Sequence, residues 1–427
     1  MNYGTICLSL LLIFSTLADH ETVSEVNGSK YSLAKEKRYL IYDTNHGEGF
    51  NLRRDVYMRI ANTVRFLRES GENFILVLPP WGPMVHWREE LMRLKWAEFF
   101  DTPSLNHFVP VMEFDDFVNE AFRSEDYPHS MIDVIIYLQH YKEGWGTEYK
   151  LKHDKRECLN NAEKLFKKDE DDGLWRSWFF SYYHQLRAKH FECISIQGDA
   201  KSLAEMILSE YEDENVIWID RTETILHHNY GDVNYWKARR SMRYNKTLVE
   251  AANEFREKEL DSTDEKDDTV LPENWWEEKP KRSSKGGNYL CAHWRRRDFV
   301  RAHDKDVPSI EETAEQLNSI AKRENLEKIF IATDSGPEDI AELEKLLKYP
   351  LITYKNDKGF NEGQAAIVEQ WICAHAGYFI GTHHSTFSFR IQEDREIIGF
   401  PENKTFNRLC PYADKSCERP SLWKIEY

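Results

Sequence analysis

Residues 38–67, RYLIYDTNHGEGFNLRRDVYMRIANTVRFL, predict a β-strand, a turn flanked by glycines and an amphipathic α-helix in direct succession. The strand is the apolar run Tyr39–Tyr42, and apolar side chains recur at helical spacing from Val56 to Leu67. Similar strand-like runs, separated by helical patterns, lie at residues 74–78, 134–138, 216–219, 289–293, 329–332 and 378–381. This alternation predicts βα units around mostly parallel sheets, so the fold class is α/β.

A charged segment interrupts this pattern between two stretches of βα units. It contains DSTDEKDD at residues 261–268 and ends in a Lys/Ser/Gly-rich run. We therefore predict a Rossmann-like N-terminal domain over residues 37–250, a connecting segment over 251–286 and a Rossmann-like C-terminal domain over 287–427. Ligands of such domains bind at the carboxyl ends of the strands, so the turns that follow the strands are expected to carry the functional residues.

Composition and the N-terminus narrow the class of protein. The chain has 427 residues, with 74 acidic against 57 basic side chains and a net charge of −17, which disfavours nucleic acid as a partner. An apolar run at residues 6–14 followed by small residues predicts a cleaved signal peptide over 1–18, and no later run is long enough to span a membrane. We expect a monomer in the endoplasmic reticulum lumen, with the Golgi as an alternative.

The cysteines and sequons fit an oxidising compartment. Cys410 is expected to pair with Cys417, and Cys158 with Cys193, although the spacing leaves the connectivity open. Cys291 and Cys373 lie in strand-like and helix-like runs, which makes them candidates for buried free thiols. Sequons for N-glycosylation lie at Asn27, Asn245 and Asn403.

The turn after the first strand presents one carboxylate between two glycines. Gly47 and Gly49 flank Glu48, and Asn51 is expected to cap the helix that follows. A carboxylate at a helix start where a ligand can approach closely is a candidate general base. The alternative interpretation is a solvated loop carboxylate.

The turn after residues 289–293 is strongly basic. His293 and Trp294 precede Arg295, Arg296 and Arg297, a cluster suited to a nucleoside diphosphate. Neighbouring side chains diverge, so one or two of these arginines can face one ligand, and a basic surface cluster is the alternative.

A third turn combines hydroxyls with the predicted start of a helix. Thr386 and Phe387 follow Ser385, and free backbone N–H groups at such a helix start bind phosphate. The neighbouring His383 and His384 lack a third ligand nearby, and the acidic run at residues 169–172 follows no strand, so we expect no metal ion and no other cofactor.

These turns resemble those of protein O-fucosyltransferases, and in particular of the enzymes that act on thrombospondin repeats. The similarity extends along nearly the whole mature chain, through RYLIYD, GEGFNLRRDVYMRIA, VLPPWGP, DVPS, QWICAHA, STFSFRI and WKIEY. The resemblance implies a GT-B fold, in which two Rossmann-like domains face a central cleft. The acceptor would lie mainly on the N-terminal domain, and GDP-fucose mainly on the C-terminal domain.

The same resemblance implies a set of site residues. Glu48 would be the catalytic base, and Arg295 would stabilise the departing diphosphate. The other residues expected at the GDP-fucose site are Gly47, Gly49, Phe50, Asn51, His293, Trp294, Glu369, Thr386 and Phe387. Glu369 stands where the family often has Asp, and would pair with the guanine edge. The implied reaction is an inverting transfer of fucose, without a metal, to Ser or Thr of folded thrombospondin type 1 repeats.

Three alternatives remain at this point. The chain could modify epidermal-growth-factor-like repeats, or it could be an N-glycan core fucosyltransferase that shares the arginine turn. It could also be a non-catalytic lumenal lectin or a chaperone for Cys-rich domains. The presence of both Glu48 and Arg295 argues against that last alternative.

Overall fold

The computed structural model describes residues 36–82, 84, 87, 93–121, 131–146, 148–159, 162–180, 186–405, 407–414 and 424–427. The predicted signal peptide, the sequon at Asn27 and the predicted partner cysteine Cys417 lie outside these residues. In this part of the chain no helix is long and apolar enough to cross a membrane.

The N-terminal domain is built on a nine-stranded sheet. Its strands are β1 (Arg38–Tyr42), β2 (Phe74–Leu78), β3 (Val111–Glu113), β4 (Met131–Gln139), β5 (Lys152–Lys155), β6 (Lys167–Lys168), β7 (Trp175–Arg176), β8 (Arg187–Gln197) and β9 (Val216–Asp220). The order is β3-β2-β1-β9-β4-β8-β7-β6, with β5 paired to β8. The pairs from β3 to β8 are parallel, so their carboxyl ends share one edge.

The helices of this domain cover the sheet. They are α1 (Phe50–Glu69), α2 (Thr102–Phe108), α3 (Phe114–Ala121), α4 (Ala162–Leu165), α5 (Ala200–Glu210), α6 (Val233–Ser241) and α7 (Lys246–Leu260). The buried face of α1 includes Val56, Ile60, Val64 and Leu67, as their spacing predicts. Helix α1 directly follows the first strand and begins at the carboxyl edge of the sheet.

The C-terminal domain has a four-stranded parallel sheet. Its strands β10 (Gly287–Trp294), β11 (Lys328–Thr333), β12 (Leu351–Ile352) and β13 (Ala376–Ile380) lie in the order β12-β11-β10-β13. Its helices are α9 (Phe299–Ala302), α10 (Ile310–Glu324), α11 (Pro337–Leu346), α12 (Glu362–Ala374), α13 (Thr386–Ile398) and α14 (Glu402–Thr405). Both domains therefore have the predicted α/β character.

The segment between the domains is packed against them. Residues 251–260 continue α7, and α8 (Asp264–Asp267) follows, so the predicted boundary at residue 251 falls inside a helix. The Trp275 indole is 1% exposed and donates from Nε1 to the Ser104 carbonyl oxygen at 3.3 Å. The chain terminus also returns to the first domain, where Trp236 Nε1 donates to Lys424 O at 3.0 Å.

Buried charges on α13 join the two domains. Arg239 of α6 pairs with both Glu393 and Asp394, and Tyr235 donates to Glu393 Oε1 at 2.6 Å. Tyr244 donates to Asp394 Oδ2 at 2.7 Å. Removing one member of such a buried pair typically costs about 3–5 kcal/mol, because the partner charge stays buried. The network therefore holds the domains in a defined relative position.

The cysteines give one confirmation and one correction. Cys158 and Cys193 form a disulfide, as predicted. The prediction of free thiols at Cys291 and Cys373 is wrong, because these two residues form a disulfide that joins β10 to α12. The buried positions that suggested free thiols are instead neighbouring positions on a strand and on the helix that covers it.

Two predicted glycosylation sites can be placed. Asn245 is partly exposed and caps α7, since its Oδ1 accepts from the Thr247 N–H at 2.8 Å. Its Nδ2 also donates to Ala97 O at 2.7 Å. Asn403 is exposed on α14. Glycosylation at both positions stays a prediction.

Candidate active site

The Glu48 turn leaves the carboxyl end of β1 and leads into α1. The Glu48 N–H donates to Asn45 O at 2.9 Å, and Arg53 Nε donates to Glu48 O at 3.0 Å, so the turn is held at both sides. The Gly49 residue precedes the helix with φ −77°, and no side chain caps it. Glu48 itself is half-buried at this helix start.

Asn51 does not cap α1, contrary to the prediction. The helix already begins at Phe50, so Asn51 lies within its first turn. Asn51 Oδ1 accepts hydrogen bonds from Arg54 Nη1 at 3.1 Å and from Gln370 Nε2 at 2.9 Å. Arg54 also donates to Gln370 Oε1 at 2.7 Å. Gln370 belongs to α12 and follows Glu369, so this triad joins the Glu48 turn to the C-terminal domain.

Phe50 anchors the helix start. Its ring is 6% exposed and packs against the rings of Trp81, Trp87 and Phe99, with centroids 4.9–5.6 Å apart. Aromatic contacts of this kind favour a fixed position for the first turn of α1. The Phe50 side chain therefore supports the turn from below and does not face the cleft.

An acidic cluster lies behind Glu48 at the carboxyl ends of β1 and β9. Asp43 directly follows β1, and Asp220 is the last residue of the neighbouring β9. Burial, and next the charges of Asp43 and Glu223, raises the pKa of Asp220 to about 8. Burial, and next the charge of Glu223, raises the pKa of Asp43 to about 6, against the lowering effect of Arg53. Glu223 accepts from the Asn45 N–H at 3.0 Å and pairs with Arg221 at 2.8 Å. This cluster is not among the predicted site residues, although each Asp directly follows a predicted strand.

The cluster changes the acidity of Glu48. Burial, and next the charge of Glu223, raises the pKa of the Glu48 carboxyl, while the guanidinium groups of Arg53, Arg221 and Arg59 lower it. The net shift is upward. A carboxylate with a raised pKa is a stronger base, which suits the abstraction of a proton from a hydroxyl group.

His293 lies at the end of β10 beneath the start of α13. Its Nδ1 is 2.7 Å from Ser388 Oγ, and its ring stacks on Phe387 with centroids 4.3 Å apart. Burial, and next the charge of Arg295, lowers the pKa of His293 to about 3, so the ring is neutral. Ser388 Oγ also accepts from the Thr382 N–H at 3.0 Å, which fixes the hydroxyl in place.

Arg295 follows on the exposed side of the same strand end. Its Nη2 donates to both carboxylate oxygens of Asp298 at 2.8 and 3.0 Å, and its Nε is 3.8 Å from Asp334 Oδ2. The guanidinium lies over the Phe299 ring at 4.8 Å, and the side chain is 21% exposed. Arg295 is thus held by acidic neighbours and keeps a face toward solvent.

The other residues of this turn have different environments. Trp294 is 1% exposed and its side chain lies in the core of the C-terminal domain, while its place at the GDP-fucose site stays a prediction. Arg296 lies over the Trp294 ring and donates to Pro308 O at 3.1 Å, while Arg297 is exposed. Of the three arginines, Arg295 is therefore the one placed to meet a ligand beside His293.

The start of α13 has the character of an anion site. Its N-cap residue Ser385 makes no side-chain capping bond, and Thr386 and Phe387 are partly exposed in the first turn. The first backbone N–H groups of a helix lack partners within the helix and favour negative charge. In a helix of this length such N–H groups are suited to binding a phosphate group, and here they lie beside His293.

A contact between α1 and α13 lies close to both helix starts. Asp55 of α1 and Arg390 of α13 are 3.5 Å apart, and each lies about one turn inside its helix. At a rise of about 1.5 Å per residue, each helix start is then about 6–8 Å from this contact along its helix axis. The Glu48 turn and the Thr386 turn therefore lie in the same region of the molecule, near this contact between the domains.

Glu369 lies on α12. It is half-buried, next to the Gln370 that contacts Asn51, and burial raises the pKa of its carboxyl to about 8. Hydrogen bonds from a ligand to the ionised carboxylate would lower this pKa again. No cluster of three or more potential metal ligands is present in the described part of the chain.

Comparisons with known proteins agree with this arrangement. A family model described as GDP-fucose protein O-fucosyltransferase matches residues 39–398. GDP-fucose protein O-fucosyltransferase 2 of Caenorhabditis elegans is 52% identical over 95% of this chain and 94% of its own length. The Homo sapiens protein of that name is 42% identical, over 92% and 91% respectively.

A solved structure shows the same fold. The crystal structure of POFUT1 in complex with GDP-fucose has a TM-score of 0.58 and 14% identity, and the match covers 88% of this chain and 99% of that chain. At this identity the likeness concerns the fold alone. It supports the predicted GT-B arrangement of two α/β domains.

Proposed function

Because this chain belongs to the GDP-fucose protein O-fucosyltransferase family and is a glycosyltransferase, we propose that it transfers fucose from GDP-fucose to folded thrombospondin type 1 repeats. The acceptor group is a Ser or Thr hydroxyl, and the reaction inverts the anomeric carbon. Glu48 is the base, and Arg295 binds the diphosphate. The observation that supports this proposal is the Asp55–Arg390 contact, which lies about one turn inside the helix that follows Glu48 and about one turn inside the helix beside His293.

The donor side stabilises the leaving group. The Arg295 guanidinium and the first N–H groups of α13 neutralise the diphosphate as the bond to fucose breaks. His293 stays neutral at physiological pH because of its burial, so it offers a ring N–H as a hydrogen-bond donor without adding a charge. Thr386 and Phe387 border the phosphates, and Glu369 accepts from the guanine edge.

The acceptor side removes a proton. Glu48 takes the proton of the acceptor hydroxyl as that oxygen bonds to the anomeric carbon from the side opposite GDP. Its raised pKa, due to burial and to Glu223, increases its basicity. Through its hydrogen bond with Gln370, Asn51 fixes the position of the turn relative to α12, and hence relative to the donor.

Transfer assays separate this function from its rivals. Labelled GDP-fucose would be offered with a folded thrombospondin type 1 repeat, the same repeat after reduction, and a folded epidermal-growth-factor-like repeat. We expect label on the first acceptor alone. NMR of the product is expected to show that the configuration at the anomeric carbon is inverted relative to GDP-fucose. Label on the epidermal-growth-factor-like repeat would assign the alternative acceptor, and absence of label from both folded repeats would contradict the proposal.

The expected cellular setting belongs to the same proposal. A protein with disulfides such as Cys158–Cys193 and Cys291–Cys373 suits an oxidising compartment. We propose that the chain acts as a monomer in the endoplasmic reticulum lumen, where its acceptor repeats fold. Colocalisation with a lumenal marker, together with light scattering of the purified protein, tests both points.

A further inference from the structure

The loop between β4 and β5 exposes large apolar side chains. Trp145, Tyr149 and Leu151 are 49%, 42% and 55% exposed, and the rings of Trp145 and Tyr149 meet edge to face with centroids 5.1 Å apart. We call these three residues the aromatic patch. Grouped exposed apolar residues on a folded domain mark sites of interaction, whereas single ones are common.

The aromatic patch stands on a firm base. The neighbouring Tyr141 is 4% exposed, donates to Asp154 Oδ2 at 2.8 Å and lies beneath Lys152 Nζ at 3.9 Å. Tyr149 Oη lies 3.4 Å from Gly198 O, just beyond the end of β8. Exposed rings that are held by a fixed loop lose little conformational entropy when a partner covers them.

The patch lies on the same edge of the sheet as Glu48. Strand β4 is the second neighbour of β1 and β8 is the third, and all are parallel. With about 4.8 Å between strands, the ends of β4 and β8 are about 10 and 14 Å along this edge from the end of β1. The aromatic patch is therefore on the same edge as the Glu48 turn, two to three strands away, on the domain that carries the proposed base.

We propose that the aromatic patch is the docking surface for the folded protein acceptor. This inference rests on the proposed function. A domain of about 60 residues has a radius of gyration of about 10 Å, so one that presents a hydroxyl to Glu48 extends over more than 20 Å of the rim. A stable interface covers about 800 Å² on each partner, which the Glu48 turn alone does not supply. The patch adds aromatic rings, the side chains that most often dominate binding energy.

The test is the acceptor KM of a Trp145→Ala/Tyr149→Ala variant with a folded thrombospondin type 1 repeat. We expect this KM to rise about 10-fold or more, because large aromatic anchors are lost. The KM for GDP-fucose and the rate of GDP-fucose hydrolysis without acceptor are expected to stay within about twofold of the wild type. Unchanged hydrolysis also shows that the variant is folded.

A matched control comes from the opposite edge of the sheet. Trp178 is 67% exposed and follows β7, which pairs with the amino-terminal half of β8. Trp178→Ala is expected to leave the acceptor KM unchanged. An equal rise in the acceptor KM of both variants would show that the loss of any exposed tryptophan has this effect, and it would overturn the proposal.

Two further outcomes also overturn the proposal. An unchanged acceptor KM in the double variant, with normal transfer by the wild type, contradicts the docking surface and leaves the proposed function intact. A wild-type dimer that dissociates in the double variant, measured by light scattering, would show that a second copy of this chain covers the patch. Absence of transfer by the wild type to any folded repeat contradicts the proposed function itself.

Discussion

The two edges that face the cleft have opposite chemistry. The N-terminal edge places Asp43, Asp220 and Glu223 behind Glu48, whereas the C-terminal edge places Arg295 and the uncapped start of α13 beside a neutral histidine. The carboxylates of the first edge favour the binding of a proton, and the positive charge of the second edge favours the binding of a diphosphate. In the proposed function, the same βα architecture holds the base in one domain and binds the leaving group in the other, through the residues that follow its strands.

The largest expected effect comes from removing the base. Glu48→Gln keeps the shape of the side chain but cannot accept a proton, so we expect kcat to fall by about 10²–10⁴-fold. The affinity for GDP, measured by calorimetry, is expected to stay within about twofold, because Glu48 acts on the acceptor. Glu170→Gln, an exposed carboxylate in the loop before β7, is the control. Full activity in the Glu48→Gln variant would contradict the assignment of Glu48 as the base.

The next effect comes from the basic edge. Arg295→Ala is expected to lower kcat/KM by about 10²–10³-fold and also to weaken GDP binding, since the guanidinium contacts the diphosphate before and during the reaction. Arg297→Ala is the matched control, because Arg297 has the same charge two residues away and is exposed. Equal losses in both variants would indicate a general electrostatic effect instead of a contact by Arg295.

Much of this contrast can be predicted from sequence, and the limits are physical. The runs at residues 39–42 and 289–293 are short and mainly apolar, and each leads into a polar turn, so the strands β1 and β10 and the turns after them are predictable. The two-residue strands β6, β7 and β12 carry no such pattern. They form because a neighbouring strand offers backbone partners, which is a property of the fold.

The details that depend on distant contacts could not be predicted. Asn51 looks like a helix cap, but its amide is used by Gln370, which lies 319 residues later. Cys291 and Cys373 look like buried thiols until α12 is packed on β10. Likewise, Asp43 and Asp220 become a pair only when β9 lies next to β1 in the sheet. Local pattern places the candidate residues, and tertiary packing sets their partners and pKa values.

The smallest expected effect tests whether the charge of Glu223 raises the pKa of Glu48. Glu223→Gln removes one negative charge and keeps an oxygen that can accept from the Asn45 N–H. The charges near Glu48 are then Arg53, Arg59 and Arg221, all of which lower its pKa, so this pKa is expected to fall. In the proposed function, activity requires ionised Glu48, so activity is expected to be lost as pH falls through the pKa of Glu48.

The acid limb of the kcat/KM profile should therefore move to lower pH in Glu223→Gln, by about 0.5 unit for a loss of one partly screened charge. Profiles measured between about pH 4 and 8 with the wild type and Glu223→Gln test this. If Glu223 only positions the turn and has no electrostatic effect, Glu223→Gln would lower the maximal kcat/KM and leave the pH of the acid limb unchanged. A limb that moves to higher pH would show that Glu223 does not raise the pKa of the base, and the acidic cluster would then serve only to hold the turn.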